Sequence, residues 1–579
     1  MRLVLAIVSF SLAALLIGFG IAQRTVLAGP DHITAAVETS STATVTVIDG
    51  ETLNSFDRGQ TIRASGSDTI FAAYGRTTDV LAWVGDNTSY NSVTFDPATS
   101  DLTSKLVSRS ETEVPDPAGS DLWLADFTET KSLGFTINVP DDISVIIVSD
   151  GVEPAPPKVS VTWLLDNSTP FAGPLVIAGA VLLLLGLGLL LWAVNHIRRS
   201  RGPRRKQPKL PKVPKKPTYK PVKRAPQQAA ITKGRRSAGM IALPTILVGA
   251  LLLSGCTDTI TPVDDAAMLE VASTTAPESE LDSPAVTEPQ AKRIVNRIAT
   301  TVAEADSAVD PTLVATRMDG PALALRTSAY AIRKVVTDAA LPAAIPPSTV
   351  EITLPQQNEA WPRTVLAVVQ DVDATIAPQA LIMIQDDPRS QYKVHYAVSL
   401  APGTVFPKVP PASVGTSRVA PDSKIFTTVP AELAAAYGAT LTLDVESEFY
   451  ELFETESDSL RVAVGKAAQD AKKAATPTTA QLTFANSPGA GDVVVMVTND
   501  GGAIVAVELG EAETIKPVEL GAAVNAPPDV AALLGKAMST KGITANYSDQ
   551  LLFYVPPATI GGKIILLGYS QGLISAVEL

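Results

Sequence analysis

FAGPLVIAGAVLLLLGLGLLLWAV, residues 171–194, runs for 24 residues without a charge and carries Trp192 close to a basic cluster that begins at Arg198. At about 1.5 Å of rise per residue, some 20 apolar residues cross a hydrocarbon layer about 30 Å thick, and a tryptophan suits the interface at the basic end. The stretch therefore reads as a transmembrane helix, and it divides the chain into a region before it and regions after it. Upstream, LVLAIVSFSLAALLIGFGIA (Leu3–Ala22) sits between Arg2 and Arg24. It exceeds a usual signal-peptide apolar core and has no clear small-x-small site before Gln23, so residues 1–24 are expected to stay as a first span. Downstream, AGMIALPTILVGALLLSG (Ala238–Gly255) is a third apolar segment, shorter and carrying Pro244, within residues 238–256.

At 579 residues the chain has room for several domains, each with its own core. Its formal net charge of −13 is unevenly spread: Arg198–Arg236 holds 16 Lys and Arg and no acid, whereas residues 25–169 hold 21 Asp and Glu against 7 Lys and Arg. Basic loops stay in the cytoplasm, which places residues 195–237 inside and the acid-rich regions on either side of them outside. The expected topology is amino terminus in, three crossings, carboxyl terminus out: a multi-pass plasma-membrane protein with large extracytoplasmic domains.

The inside loop, RRSRGPRRKQPKLPKVPKKPTYKPVKR and its continuation, is too charged and too rich in proline to pack a core. It is expected to be extended and disordered, with residues 198–236 resting on anionic lipid headgroups at about 1 kcal/mol per Lys or Arg. This topogenic role accounts for the charge without any nucleic acid. The single cysteine, Cys256, and the three histidines, His32, His196 and His395, exclude an internal disulfide framework and a zinc-type ligand cluster. No cofactor and no structural metal are expected.

Leu253-Ser254-Gly255-Cys256 closes the third segment. It resembles the bacterial lipoprotein signal: an aliphatic residue, two small residues, and a cysteine whose thiol takes a diacylglyceryl group as a thioether. Lys233, Arg235 and Arg236 stand as the charged start and Met240–Leu253 as the apolar core of such a signal. The resemblance implies lipidation at Cys256 on the outer side, where signal peptidase II acts, and cleavage there would leave a 324-residue lipoprotein. The alternative is a cysteine at the rim of a plain third helix, since free cysteine is also a small buried hydrophobe.

Residues 30–165 read as short runs of alternating polarity, among them HITAAVET, ATVTVID, DTIFAAYG, DVLAWVG, LGFTINV, ISVIIVS and KVSVTWLL, separated by turn residues. That pattern predicts an extracytoplasmic all-β sandwich or barrel, the sandwich being the reading taken, with Trp83, Tyr90, Trp123 and Trp163 in its core. After Cys256, residues 257–286 are rich in Thr, Pro and acid and read as a tether. Thr287 and Gln290 have capping-box spacing for a helix with Ala291, Ile294, Val295, Ile298 and Val302 on one face. A second helix ends before Leu341-Pro342, and strands follow at 364–370, 380–385 and 392–400. Helical AELAAAYGATLTLDVESEFYELF and SLRVAVGKAAQDAKKAA then precede strands at 481–485, 492–498, 503–509, 550–555 and 563–567. Helices followed by antiparallel strands, twice, predict α+β structure over 287–430 and 431–579, with a cystatin-like or NTF2-like curved sheet, as one domain or two.

At GPALALRTSAY (Gly320–Tyr330), NDGGAIVAVEL and QLLFYVPP the chain resembles an uncharacterised family of lipoprotein-like envelope proteins from high-GC Gram-positive bacteria, over roughly residues 285–579. The opening MRLVLAIVSFSLAALLIGFGIAQRTV resembles membrane proteins of the same group. Some members carry a glycosyl transferase label, but the resemblance supplies no catalytic residue.

Two motifs bear on catalysis. GYSQG, Gly568–Gly572, matches the G-x-S-x-G nucleophile elbow, yet only nine residues follow Ser570 and none is histidine, so it reads as a hairpin turn between two terminal strands. Asp371 and Asp373 resemble the DxD metal motif of glycosyltransferases, but no parallel βαβ unit surrounds them, and a solvated turn is the expectation. The reading is therefore a non-catalytic binding or scaffolding protein at the outer face of the plasma membrane, with an unknown envelope protein or glycan as ligand. The alternatives are an envelope glycosyltransferase or its accessory, and a precursor cleaved at Cys256 into a membrane protein and a lipoprotein.

Overall fold

The computed structural model describes residues 2–40, 42–56, 58–165, 167–200, 283–347 and 349–579. Cys256 with Leu253, Ser254 and Gly255, the third apolar segment, the tether up to residue 282 and the basic segment from residue 201 lie outside the described residues. The chain divides into two units: Met1–Arg24 with Pro170–Ser279, and Thr25–Thr169 with Glu280–Leu579.

From the amino terminus come helix α1 (Arg2–Arg24), strands β1 (His32–Glu38) and β2 (Val45–Ile48), helix α2 (Gly50–Leu53), strand β3 (Gln60–Arg76) and helix α3 (Thr77–Val84). Strands β4 (Tyr90–Asp96), β5 (Asp101–Val107), β6 (Ala125–Ile137), β7 (Ile143–Val148) and β8 (Lys158–Leu164) follow, and then helix α4 (Ala172–Ser200).

In the first unit α1 and α4 pack antiparallel through small residues. The buried positions of α1 are Ala6, Ala13 and Gly20, and those of α4 are Ala172, Gly179, Gly186 and Ala193. Both series have a spacing of seven, which keeps the small residues along one seam of each helix. The backbones come so close that a Cβ on Gly179 would lie 2.6 Å from Ile17 Cγ1, and one on Gly20 2.7 Å from Val176 Cγ2. Leu15, Phe19, Leu184 and Leu191 remain exposed around the pair. Both helices are long and apolar enough to cross a membrane.

In the second unit β1–β8 make one mixed sheet in the order β1-β8-β3-β7-β2-β4-β5, with β6 also on β3. Where the alternation allows a sandwich or a barrel, the strands form a single continuous sheet. The cause is β3, whose 17 residues pair with β8 along the first half, with β7 along the second, and with β6 throughout. The end strands β1 and β5 come within 8 Å of each other, so the sheet nearly closes. Val145 and Ile147 of β7 face its interior, and Ile146 and Val148 face outward to α3. DVLAWVG is therefore not a strand: Val80, Trp83 and Val84 recur at helical spacing and pack α3 on the sheet. Trp83, Trp123 and Trp163 are buried as expected, and Tyr90 is half-buried.

The rest of the second unit begins with helices α5 (Glu288–Ala308), α6 (Pro311–Val314) and α7 (Gly320–Arg333), then strands β9 (Thr349–Pro355), β10 (Arg363–Gln370), β11 (Gln379–Gln385) and β12 (Lys393–Leu400). Helices α8 (Leu433–Leu443), α9 (Ser459–Val464) and α10 (Lys466–Ala475) precede β13 (Ala480–Pro488), β14 (Val494–Val497), β15 (Ala503–Pro517) and the short β16 (Val524–Asn525). Helix α11 (Pro528–Leu534), β17 (Met538–Ser539), β18 (Ile543–Val555) and β19 (Ile565–Glu578) complete it. Helices precede strands in both halves, as the sequence predicts, but the strands of both join one nine-stranded sheet through pairing of β12 with β19. Each half packs its helices on one face, giving the cores around Ile298 and around Tyr437. Their other faces share a third core, in which Leu366, Ile382 and Val398 meet Ile504 and Leu552.

The Thr287–Gln290 capping box forms, and Ala291, Ile294, Val295, Ile298 and Val302 are all buried on the face of α5 that the spacing predicts.

Candidate functional site

The motifs singled out in the sequence do not converge. Asp371 and Asp373 lie in an exposed turn between β10 and β11, where Asp373 N donates to Asp371 Oδ1 at 2.9 Å and Thr375 Oγ1 donates to Asp373 Oδ1 at 2.7 Å. Those bonds from Thr375 hold the Asp373 carboxyl below the usual range. Among the described residues no group of three or more His, Cys, Asp or Glu is arranged to hold a metal ion.

Ser570 is not in a hairpin turn. It sits inside the continuous strand β19, opposite Gln550 of β18. The flanking glycines serve packing: a Cβ on Gly568 would lie 2.3 Å from Ser399 O, and one on Gly572 2.3 Å from Leu325 Cδ1. His395 is held by Asp319 Oδ1 at 2.9 Å from Nδ1, and its Nε2 accepts from Asp492 N at 3.3 Å.

Ser570 does reach a cavity of about 640 Å³ between α7, residues 336–343, α11 and strands β12 and β19. One face of α7 lines it through Ala322, Leu325, Ala329 and Ile332, where the alanines leave the room. The floor is polar and uncharged. Gln550 Oε1 accepts from Ala397 N at 2.8 Å, and Ser570 Oγ accepts from Ser399 N at 3.2 Å, which leaves its O–H free to donate into the cavity. The one lining guanidinium, Arg326, is engaged by Asp306 at 2.5 Å and by Ala343 O at 2.8 Å. That bridge fixes the wall formed by residues 336–343 against α7.

A second assembly joins the first β region to the later one. Asp121 is fully buried and receives Arg317 Nη1 at 2.6 Å and Tyr392 N at 2.9 Å on Oδ2, with Arg297 Nη1 at 3.4 Å from Oδ1. Asp79 receives Arg363 Nη2 at 2.7 Å on one oxygen and Arg76 Nε at 3.0 Å on the other. Arg363 also stacks on Trp361, 3.8 Å from the ring centroid, and Trp361 packs into the core of Trp83 and Trp123. Backbone carbonyls are taken as well. Arg389 donates to Trp83 O and Val84 O at 2.9 and 2.7 Å, capping the unpaired carbonyl end of α3. Gln290 Nε2 reaches Asp121 O at 2.7 Å, Arg293 reaches Trp123 O at 2.6 Å, and Arg76 answers from the other side with bonds to Pro284 O and Ala285 O. Burial lowers the pKa of Arg293. Among the described residues no backbone ladder crosses this seam; side chains make it.

A third feature is a carboxylate without such support. Asp549 is fully buried, neither of its oxygens meets the geometry of a hydrogen bond, and burial, reinforced by the charge of Glu511 and only partly offset by the nearby Gln571 amide, pushes it up to about 7. Burial raises Glu511 too.

Residues 282–578 match the model of a family described only as a domain of unknown function, DUF8094. The chain belongs to the DUF8094 family. The matched segment takes in the whole cavity and the arginines at 293, 297, 317, 363 and 389, whereas Asp79 and Asp121 precede it. No curated protein matches the chain, and no solved structure does. Sequence reasoning missed the seam because its donors and acceptors are scattered singly. The residue types alone carry a trace at one position, since Arg363 opens the apolar strand run RTVLAVV.

Proposed function

We propose that the protein is a membrane-anchored, non-catalytic binding protein of the cell envelope whose two β-rich regions work as one body on the outer face. The seam carries this reading. If α1 and α4 both span the bilayer, the region between them lies on one side and the chain after Ser200 on the other. The later region is interlocked with the earlier one through Asp121–Arg317 and Asp79–Arg363, so the chain must cross back between residues 201 and 282. Ala238–Gly255 is the apolar run available there, and the basic stretch before it sets the cytoplasmic side. The exposed aliphatic side chains of α1 and α4 support a lipid setting, because water would leave a continuous apolar surface uncovered. Cys256 then emerges on the outer side, where lipidation would add to the anchorage.

The cavity on α7 is the binding site in this reading. Its volume lies within the range of small-molecule sites, its walls are largely aliphatic, its floor offers an amide and a hydroxyl, and the one lining carboxylate, Asp529, is exposed and disfavours an anionic ligand. It suits a neutral, mainly aliphatic ligand with a hydrogen-bonding head.

The test is accessibility mapping in a Cys256→Ser background with single cysteines at Gln227 and Val405. A membrane-impermeant maleimide is expected to label Val405→Cys in intact cells and Gln227→Cys only after permeabilisation. Equal labelling of both in intact cells refutes the topology.

A further inference from the structure

The seam has the composition of an interface between separate proteins. We propose that the two halves of the chain, 1–255 and 256–579, remain locked as a non-covalent complex when the backbone is cut between them, so that the partner of the carboxyl-terminal half is the first β region of its own chain. The proposal builds on the lipoprotein-type cut read at Cys256, but the association itself follows from the seam alone.

Three observations carry it. First, among the described residues neither sheet borrows a strand from the other region, so cutting the connection removes no described ladder from either fold. Second, the charges are complementary by half: the carboxylates of Asp79 and Asp121 come from the first half, and the guanidinium groups of Arg363 and Arg317 from the second. Both pairs are buried, which sets register and rejects wrong partners, since a misplaced partner leaves a buried charge unpaired. Third, the pairs surround an aromatic centre in which Trp361 packs with Trp83 and Trp123. A buried aromatic core ringed by ion pairs and hydrogen bonds is the arrangement that carries most of the binding free energy in protein interfaces, although Nε and Nη1 of Arg363 have no hydrogen-bond partner among the described residues. A tether adds effective concentration but no contacts, so its loss weakens association without altering the surfaces.

Cleavage would then not separate two working proteins. It would leave a two-chain assembly in which the lipoprotein half is held both by its lipid and by the membrane half.

The experiment uses the full-length protein, tagged at the amino terminus, with residues 268–274 replaced by the site of a sequence-specific protease. After cleavage in detergent, more than about nine-tenths of the carboxyl-terminal fragment is expected to stay with the tagged half at micromolar concentration. Release of most of that fragment overturns the proposal. In the same protein Arg317→Ala is expected to raise the release rate at least about tenfold, because Asp121 is left buried without its main partner. An unchanged rate overturns the assignment to these ion pairs. Arg389→Ala, which removes only bonds to carbonyls at the end of α3, is the milder second variant, expected to speed release less, and unchanged release there overturns the role given to that cap. Signal peptidase II inhibition in cells reports separately whether the cut occurs naturally at Cys256 and leaves the outcome of the pull-down unaffected.

Discussion

The α1–α4 pair and the seam between the β regions both join segments far apart in sequence, and they do so with opposite chemistry. The helices meet through Ala6, Ala13 and Gly20 against Ala172, Gly179 and Gly186, with no charged group between them. The seam meets through aspartates, arginines and backbone carbonyls packed around tryptophans. Their surroundings explain the contrast. In the lipid setting proposed for α1 and α4, apolar side chains gain little by touching one another, so close backbone approach supplies the attraction. In water, tryptophan burial supplies it, and the buried charges set which surfaces fit. The first joint should tolerate loss of any one polar group, and the second should not.

The largest expected effect is therefore at Asp121. Asp121→Ala leaves Arg317 buried beside an unpartnered Tyr392 N–H, and losing one member of a buried ion pair costs about 3–5 kcal/mol. Thermal unfolding of the full chain in detergent should show a correspondingly large drop in Tm. Pairing Asp121→Ala with Arg317→Met should recover part of it, because no buried charge is then left alone. If the single and double variants unfold alike, the ion pair is not what makes this joint intolerant.

Asp549 turns the same contrast around, being a buried acid with no cation. Its carboxyl is held up at about 7, against about 3.9 when unfolded, so the folded chain keeps a proton that the unfolded chain releases. Stability from this group is thus present below about pH 4 and falls as pH rises to about 7, by at most about 1.4 kcal/mol per pH unit. Asp549→Asn should flatten that slope and raise Tm at pH 8 while changing little near pH 4. An unaltered pH profile would show that the site is hydrated and ionised.

Much of this was legible in the sequence because it depends on local pattern. The two long apolar helices, the capping box at Thr287 and the buried face of α5 follow from spacing within a dozen residues, and so do most strand positions. What was not legible depends on pairing at long range. Nothing local distinguishes a β3 that serves three partners from an ordinary strand, so the alternation alone does not decide between a sandwich and a barrel. Gly568 and Gly572 resemble turn residues in sequence, but in the fold they are clearances for Ser399 and Leu325. The seven-residue spacing of small residues in α1 and α4 is a local pattern too, written in the letters of both helices.

That spacing gives the next prediction. A Cβ at Gly186 would lie 3.3 Å from Ser9 Cβ, close to disulfide geometry, so Ser9→Cys with Gly186→Cys in a Cys256→Ser background should oxidise readily to an intramolecular crosslink. Adding Gly179→Leu should lower the yield several-fold, since its side chain meets Ile17 and overpacking costs about 1–3 kcal/mol. A crosslink indifferent to Gly179→Leu would mean that close approach does not hold this joint.

The smallest effect is expected at Asp373, which resembles Asp121 in bonding but not in burial. Both carboxylates accept from a backbone N–H and from a side chain, Thr375 supplying both donors at Asp373. Asp121 has no access to solvent, whereas Asp373 stands in an exposed turn where water replaces each lost bond. Asp373→Asn should accordingly leave Tm unchanged within error, and Mn²⁺ titration should give the same heat for the variant as for the parent. A specific Mn²⁺ signal lost in Asp373→Asn or Asp371→Asn would reopen the glycosyltransferase alternative. Equal titrations would confine the consequential aspartates of this chain to those that solvent cannot reach.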